Sequence, residues 1–292
     1  MASVATSVFG VTLRSDPTRT LQRLAELEEY MGSNVTGAAG FCCKRETACK
    51  SSALINRNTG ERKPDVSFWR GQLSHVGHHY DVSDNGQPWR ILVLGMETGR
   101  SRENVSMTER RLEQLPVIDS ESRSRKPHMK GTASALRLAF GRTPGGDRHG
   151  EMLDLSNVAR PVHVMDAYAL ANIRLCSAVL TGTKSSKGTP EMTENCSSHL
   201  RATVRILEPT LCILQSGPAR DQLSTVLSDV QRIGPHLEYV TIAGTSLYLA
   251  SFVHPHQQGK NSSMNWGRSF STPYLDEVVA PTIRTARDLS LR

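Results

Sequence analysis

The run Ile91-Leu92-Val93-Leu94-Gly95 constrains the fold more than any other stretch of the chain. It is short, wholly apolar and ends on glycine. A strand that is apolar on both faces must be covered on both faces, which is the situation of a central strand in a parallel sheet flanked by helices. Further apolar runs follow at Val162 to Met165, Ala169 to Leu175, Leu211 to Leu214 and Tyr248 to Val253. Helical patterns stand between and after them: Thr132 to Phe140, Glu191 to Leu207, a stretch from Ser216-Gly217 through Val230, and Tyr274 to Leu289. The second opens on Thr189-Pro190-Glu191, a cap residue, a proline at the first helical position and an early acid, and Pro209 closes it. This alternation predicts an α/β chain, a three-layer α/β/α sandwich around a central, mostly parallel sheet of four to five strands. Residues 1–40 are expected as an N-terminal extension with one short helix near Leu21 to Tyr30, and 41–292 as a single domain. Within it, 41–90 read as irregular, 100–127 as a long polar insertion rich in Arg, Ser and Glu, and Thr181 to Pro190 as a loop.

No apolar run approaches the roughly 18 residues that a membrane-spanning helix needs. The first twenty residues are too weakly apolar for a secretory leader, so a cytoplasmic location and no membrane partner are expected. The formal net charge is +7, an excess that attracts polyanions, of which nucleic acid is the commonest. Six cysteines in 292 residues do not suggest a secreted disulfide scaffold.

In open α/β sheets ligands bind beyond the carboxyl ends of the strands. Those ends carry Gly95-Met96-Glu97-Thr98-Gly99, Asn172 to Cys176, Ser216-Gly217 and His254-Pro255-His256. An asparagine amide offers one acceptor and two donors, enough to pair with the polar edge of a pyrimidine. A histidine can donate to a departing oxygen, and a carboxylate can orient water and stabilise a cationic sugar.

Taken in order, these features resemble the iron–sulfur, family-4-like branch of the uracil-DNA glycosylase superfamily. The resemblance covers roughly residues 40 to 290. It is carried by the strand ILVLG with its loop closing on Gly99, by ANIRLC, TPEMTENC and LEPTLCILQSG, and by a last strand ending in His254-Pro255. It implies a structural [4Fe-4S] cluster on Cys43, Cys49, Cys176 and Cys196, with Cys42 as the alternative to Cys43, and zinc as the alternative occupant. Cys212, mid-strand, is expected in the core. The resemblance gives base reading to Asn172 and stabilisation of the leaving base to His254. Lys126-Pro127-His128-Met129 puts His128 where the family has a stacking aromatic. The first motif departs from the family's Gly, acid, any residue, Pro, Gly. Here the acid, Glu97, stands one place later, Met96 takes its position, and Pro is absent; Asp166 and Glu103 are alternative acids.

The loop after His254 is the part that the family inserts into DNA. Lys260, Asn261, Ser262 and Arg268 are expected on the phosphates, with Met264 or Trp266 as the wedge. Arg100, Arg102, Arg110, Arg111, Arg123, Arg125, Lys126 and Lys130 are further candidates to follow the backbone. His75, His78 and His79 are read as incidental rather than as metal ligands. The resemblance thus implies a monomeric, DNA-binding, base-flipping hydrolase. The altered first motif and His128 point to a modified pyrimidine, as in relatives that excise modified bases from phage DNA. Ordinary uracil excision and a catalytically inactive DNA-binding protein are the alternatives.

Overall fold

The computed structural model describes residues 12–38, 40–99, 102–183, 187–217, 219–256 and 263–292. Among them, nine strands matter for the site: β1 (Val66–Trp69), β2 (His75–Val76), β3 (Ile91–Gly95), β4 (Ala169–Asn172), β5 (Ser177–Leu180), β6 (Leu211–Leu214), β7 (Leu227–Gly234), β8 (Leu237–Ile242) and β9 (Thr245–Ser251). Seven build one sheet in the order β7-β8-β9-β6-β3-β4-β2. The middle four, β9, β6, β3 and β4, are parallel. β2 adds to one edge and the β7–β8 hairpin to the other, all antiparallel. The sheet is therefore wider than the four to five strands expected, with the expected parallel heart.

Side-chain alternation along β3 explains the two covered faces. Ile91 and Val93 belong to one apolar core together with Leu136 of helix α4 (Pro127–Ala139) and Ile283 of helix α7 (Ala280–Ser290). Leu92 and Leu94 point the other way, into a second core with Leu27 of α1 (Pro17–Asn34) and Leu200 and Val204 of α5 (Pro190–Leu207). Each such fully buried aliphatic side chain contributes roughly 1.5–3 kcal/mol. α2 (Glu46–Leu54), α3 (Met107–Asp119) and the single turn α6 (Ala219–Gln222) complete the helices used below.

Several expectations need correction. α1 is longer than the short helix expected, and residues assigned to an extension supply Leu27, Met31 and Val35 to the core. Arg23 of α1 is buried and paired with Asp81 at 3.0 Å and Glu208 at 2.7 Å. Residues 41–90 hold α2, β1 and β2 rather than irregular chain. The 100–127 stretch holds α3, opened by a Ser106/Glu109 capping box. The helix expected through Val230 stops at Gln222, and the chain turns into the exposed edge strand β7. β8 and β9 are joined by Ala243-Gly244, with φ of 50° and 84°, the left-handed pair that a tight hairpin turn needs. Among the described residues, no helix is long and apolar enough to cross a membrane.

Candidate active site

β3 and β4 run in parallel register with Gly95 opposite Asn172. A side chain at 95 would put its Cβ 2.8 Å from the Asn172 Oδ1, so glycine is what lets that amide lie across the end of β3. Asn172 Nδ2 donates to Thr98 Oγ1 at 2.8 Å, and Arg110 of α3 donates to the same oxygen at 2.5 Å. The amide is thus oriented by a hydroxyl that is itself held by a guanidinium.

A similar close fit brings two histidines together. A Cβ on Gly131 of α4 would stand 2.6 Å from Pro255 and 3.1 Å from Trp266, and one on Gly267 would collide with the carbonyl of Pro127. Both glycines let the start of α4 press against the turn after β9. The outcome is that His128 and His254 stack, ring centroids 5.1 Å apart and planes 7° from parallel. Removal from water, then the neighbouring His254, lowers the His128 pKa to about 4, against a hydrogen bond to Gln215 that raises it. His254 is open to solvent on its outer side, yet the walls desolvate it and lower its pKa as well. Its Nδ1 accepts the His256 backbone N–H at 3.1 Å. Both rings are therefore neutral at pH 7, and the His254 proton sits on Nε2, available as a donor.

These groups line one cavity of about 280 Å³, together with Gly95, Met96, Glu97, Thr98, Arg110, Gln114 and apolar walls from Leu73, Met129 and Leu170. Six sequence-derived candidates, Gly95, Met96, Glu97, His128, Asn172 and His254, thus meet in one place. Gly99, with φ of 79°, closes the loop outside the lining and donates its N–H to Ser177 Oγ at 3.2 Å. A larger cleft of about 770 Å³ lies at the start of α1 and holds none of these candidates.

Glu97 is not a solvated loop acid. It forms an ion pair of 2.8 Å with Arg174, and the two side chains are 2% and 4% exposed. Gly188 presses on both groups, since a Cβ there would stand 2.3 Å from Arg174 and 2.5 Å from Glu97. The alternative acids lie elsewhere: Asp166 pairs with Arg111 at 3.1 Å, and Glu103 accepts the Arg70 N–H at 3.4 Å. His75, His78 and His79 are likewise absorbed by structure, through the Met165 carbonyl, Arg111 and Ser15 respectively.

The cysteines divide clearly. Cys49, Cys176 and Cys196 are buried and Cys43 half-buried, all as free thiols. Burial first, then charge repulsion from Cys196, Cys49 and Cys43, raises the Cys176 thiol; burial, then repulsion from Cys49 and Cys43, pushes Cys196 up to about 12. Cys42 turns away, its Sγ receiving the Gly37 N–H at 3.2 Å. Cys212 is a core residue of β6. Among the described residues, no three His, Cys, Asp or Glu side chains form a group fit to hold a single metal ion.

Lys260, Asn261, Ser262 and Arg100 lie outside the described residues. Met264 and Arg268 are exposed. Trp266 is fully buried and donates to the Val253 carbonyl at 2.8 Å, so it is a buttress for the His254 turn and not a wedge. Arg110 and Arg125 are buried and Arg111 is half-buried: Arg125 pairs with buried Glu151 at 2.7 Å, and Arg111 with Asp166. Arg102 pairs with Glu113, Lys130 stands over the Phe270 ring, and Arg123 and Lys126 face solvent.

No known protein family has a model that matches this chain, and no curated protein matches it.

Proposed function

We propose that the cavity accepts a pyrimidine turned out of DNA and hydrolyses its N-glycosidic bond, and that the base is a modified pyrimidine. One observation carries the reading: an oriented amide, two neutral imidazoles and a carboxylate, from three strand ends and one helix start, line the same small cavity. An enzyme acting on a base must take it out of the stack and read its polar edge. Asn172 is the group for that edge, and the His128 ring supplies a stacking face. When the C1′–N bond breaks, its electron pair leaves with the base. Negative charge gathers on the base oxygen, where the His254 Nε2–H donates a hydrogen bond. Glu97 stabilises the cationic sugar and orients a water. The water oxygen bonds to C1′, and its released proton ends on the base nitrogen. Met96 and His128 in place of the usual residues, and α3 along one wall, support a substrate other than plain uracil.

Cys43, Cys49, Cys176 and Cys196 would hold a [4Fe-4S] cluster, which ties their segments together and supplies no step on the base. A cluster is wider than a single ion, which suits thiols that feel one another's charge without converging on a point.

A second reading has its own observation. The Arg174 ion pair neutralises Glu97, as expected of a DNA-binding protein that has lost catalysis. Base release from DNAs carrying uracil, hydroxymethylated pyrimidines and glucosylated bases, each treated to cleave abasic sites, separates these readings. Cleavage confined to modified DNA is the expected result. Cleavage of uracil DNA alone restores the ordinary repair enzyme, and binding without cleavage favours the inactive protein.

A further inference from the structure

Helix α3 turns part of its polar face inward. Leu112 and Leu115 are exposed, 57% and 41%, while Arg110 and Gln114, four residues apart on one face, are 8% and 7% exposed and line the cavity. Arg110 is fully engaged, with Thr98, Glu113 at 2.8 Å and the Leu73 carbonyl at 3.4 Å. Gln114 is not. Its Oε1 is buried and accepts no hydrogen bond from the described residues. An orphaned buried acceptor has lost its water without a replacement, a cost that an apolar side chain of the same shape would avoid. As it stands Oε1 is closed off even from the cavity; a half-turn of the terminal amide would bring it out beside the apolar Leu73 and Met129, where a donor on the ligand can satisfy it.

We infer that Gln114 is a specificity residue that accepts a hydrogen bond from a hydroxyl-bearing substituent on the bound pyrimidine. This rests on the reading of the cavity as a base pocket. An unsubstituted pyrimidine leaves Oε1 orphaned, whereas a hydroxymethyl or sugar-bearing base satisfies it. Sites built to pair with a hydroxyl discriminate strongly against analogues that lack it. Arg110 acts here as a positioning residue, since it reaches Asn172 through Thr98.

The test compares binding of short oligonucleotides that differ only in one base, deoxyuridine or 5-hydroxymethyldeoxyuridine. Fluorescence anisotropy reads the affinities of wild type, Gln114→Leu and Gln114→Glu, and melting curves check each variant's fold. The wild type is expected to prefer the hydroxymethylated base at least tenfold. Gln114→Leu is expected to abolish that preference without a lower melting temperature, and Gln114→Glu, which keeps an acceptor, to retain it. No preference in the wild type, or the same preference in Gln114→Leu, overturns the inference; so does a Gln114→Leu protein that melts early, which marks the glutamine as structural. Base release from the same oligonucleotides is scored separately. Preferential binding with no release from any DNA sinks the hydrolytic reading and leaves the recognition by Gln114 standing.

Discussion

Glu97 and Arg174 illustrate how much one buried pair fixes. Removing one partner of such a pair leaves an uncompensated charge and costs about 3–5 kcal/mol. Arg174→Ala is therefore expected to lower the melting temperature sharply, while Glu97→Gln, which leaves a hydrogen-bonding amide against the guanidinium, is milder. If Glu97 stabilises the sugar cation, Glu97→Gln also lowers the single-turnover rate of base release by about a hundredfold or more. An unchanged rate removes it from the mechanism. The histidines make a separate prediction. Burial lowers His75 to about 4, and burial with His254 does the same for His128. In the unfolded chain both titrate near 6.5. Between pH 6.5 and 4 the unfolded state thus binds more protons, so stability is complete above pH 6.5 and declines as pH falls toward 4. At pH 5 each contributes a loss of about 2 kcal/mol. Urea unfolding of the wild type and of His75→Gln from pH 7 to 5 checks this: the variant should show a visibly flatter pH dependence.

At the scale of elements, the approach of α4 to the turn after β9 decides whether the two site histidines meet. Gly131→Ala introduces a methyl group 2.6 Å from the Pro255 ring and 3.1 Å from the Trp266 ring, two rigid groups that must shift to admit it. Overpacking of this kind costs about 1–3 kcal/mol. The expected outcome is a modest loss of stability with a larger loss of base release, because the His128–His254 stack separates. Equal activity in a stably folded variant would show that the stack is dispensable. The candidate groups themselves were legible in the sequence because Asn172, Glu97 and His254 follow apolar runs, and strand ends in such sheets are where ligands sit. What brings them together was not legible. Gly131 and Gly267 look like ordinary glycines until the segments they touch are known. α3 is hard to read because its buried face mixes Arg110 and Gln114 with Met107, which blurs the periodicity by which a helix is recognised, although Ser106-Met107-Thr108-Glu109 carries a capping-box signature. The start of β7, up to Val230, reads as helix in the sequence because an exposed edge strand, with Val230 48% exposed, shows no clean alternation. The hairpin beyond it turns on Ala-Gly, a weaker signal than Asn-Gly.

Among the described residues the molecule has two large cores, one on each face of the sheet, and a third that is much smaller. Among the described residues the third core comprises seven buried side chains: Cys49, Ala53 and Leu54 of α2, Val66 of β1, Cys176 and Ala178 on or beside β5, and Met192 of α5. β1 and β5 form a two-stranded ribbon separate from the main sheet. A two-stranded ribbon with so little apolar cover is marginal alone, and small units of this kind usually need a covalent or metal staple. Two of the four cysteines proposed to hold a cluster, Cys49 and Cys176, belong to this unit; Cys196 sits in a large core on α5, and Cys43 stands just before α2. The cluster, on this argument, stabilises the small unit and leaves the two large cores to their own packing. Protein purified without oxygen is then expected to contain iron and sulfide. Stripping the iron should accelerate hydrogen exchange in α2, β1 and β5 and leave β3, β6 and β9 protected. Cys176→Ser should reproduce that pattern, and Cys42→Ser, whose thiol turns away, should not. Iron-free protein with full protection of the ribbon would mean that seven buried side chains suffice, and the four thiols would then be core residues with no cluster to hold.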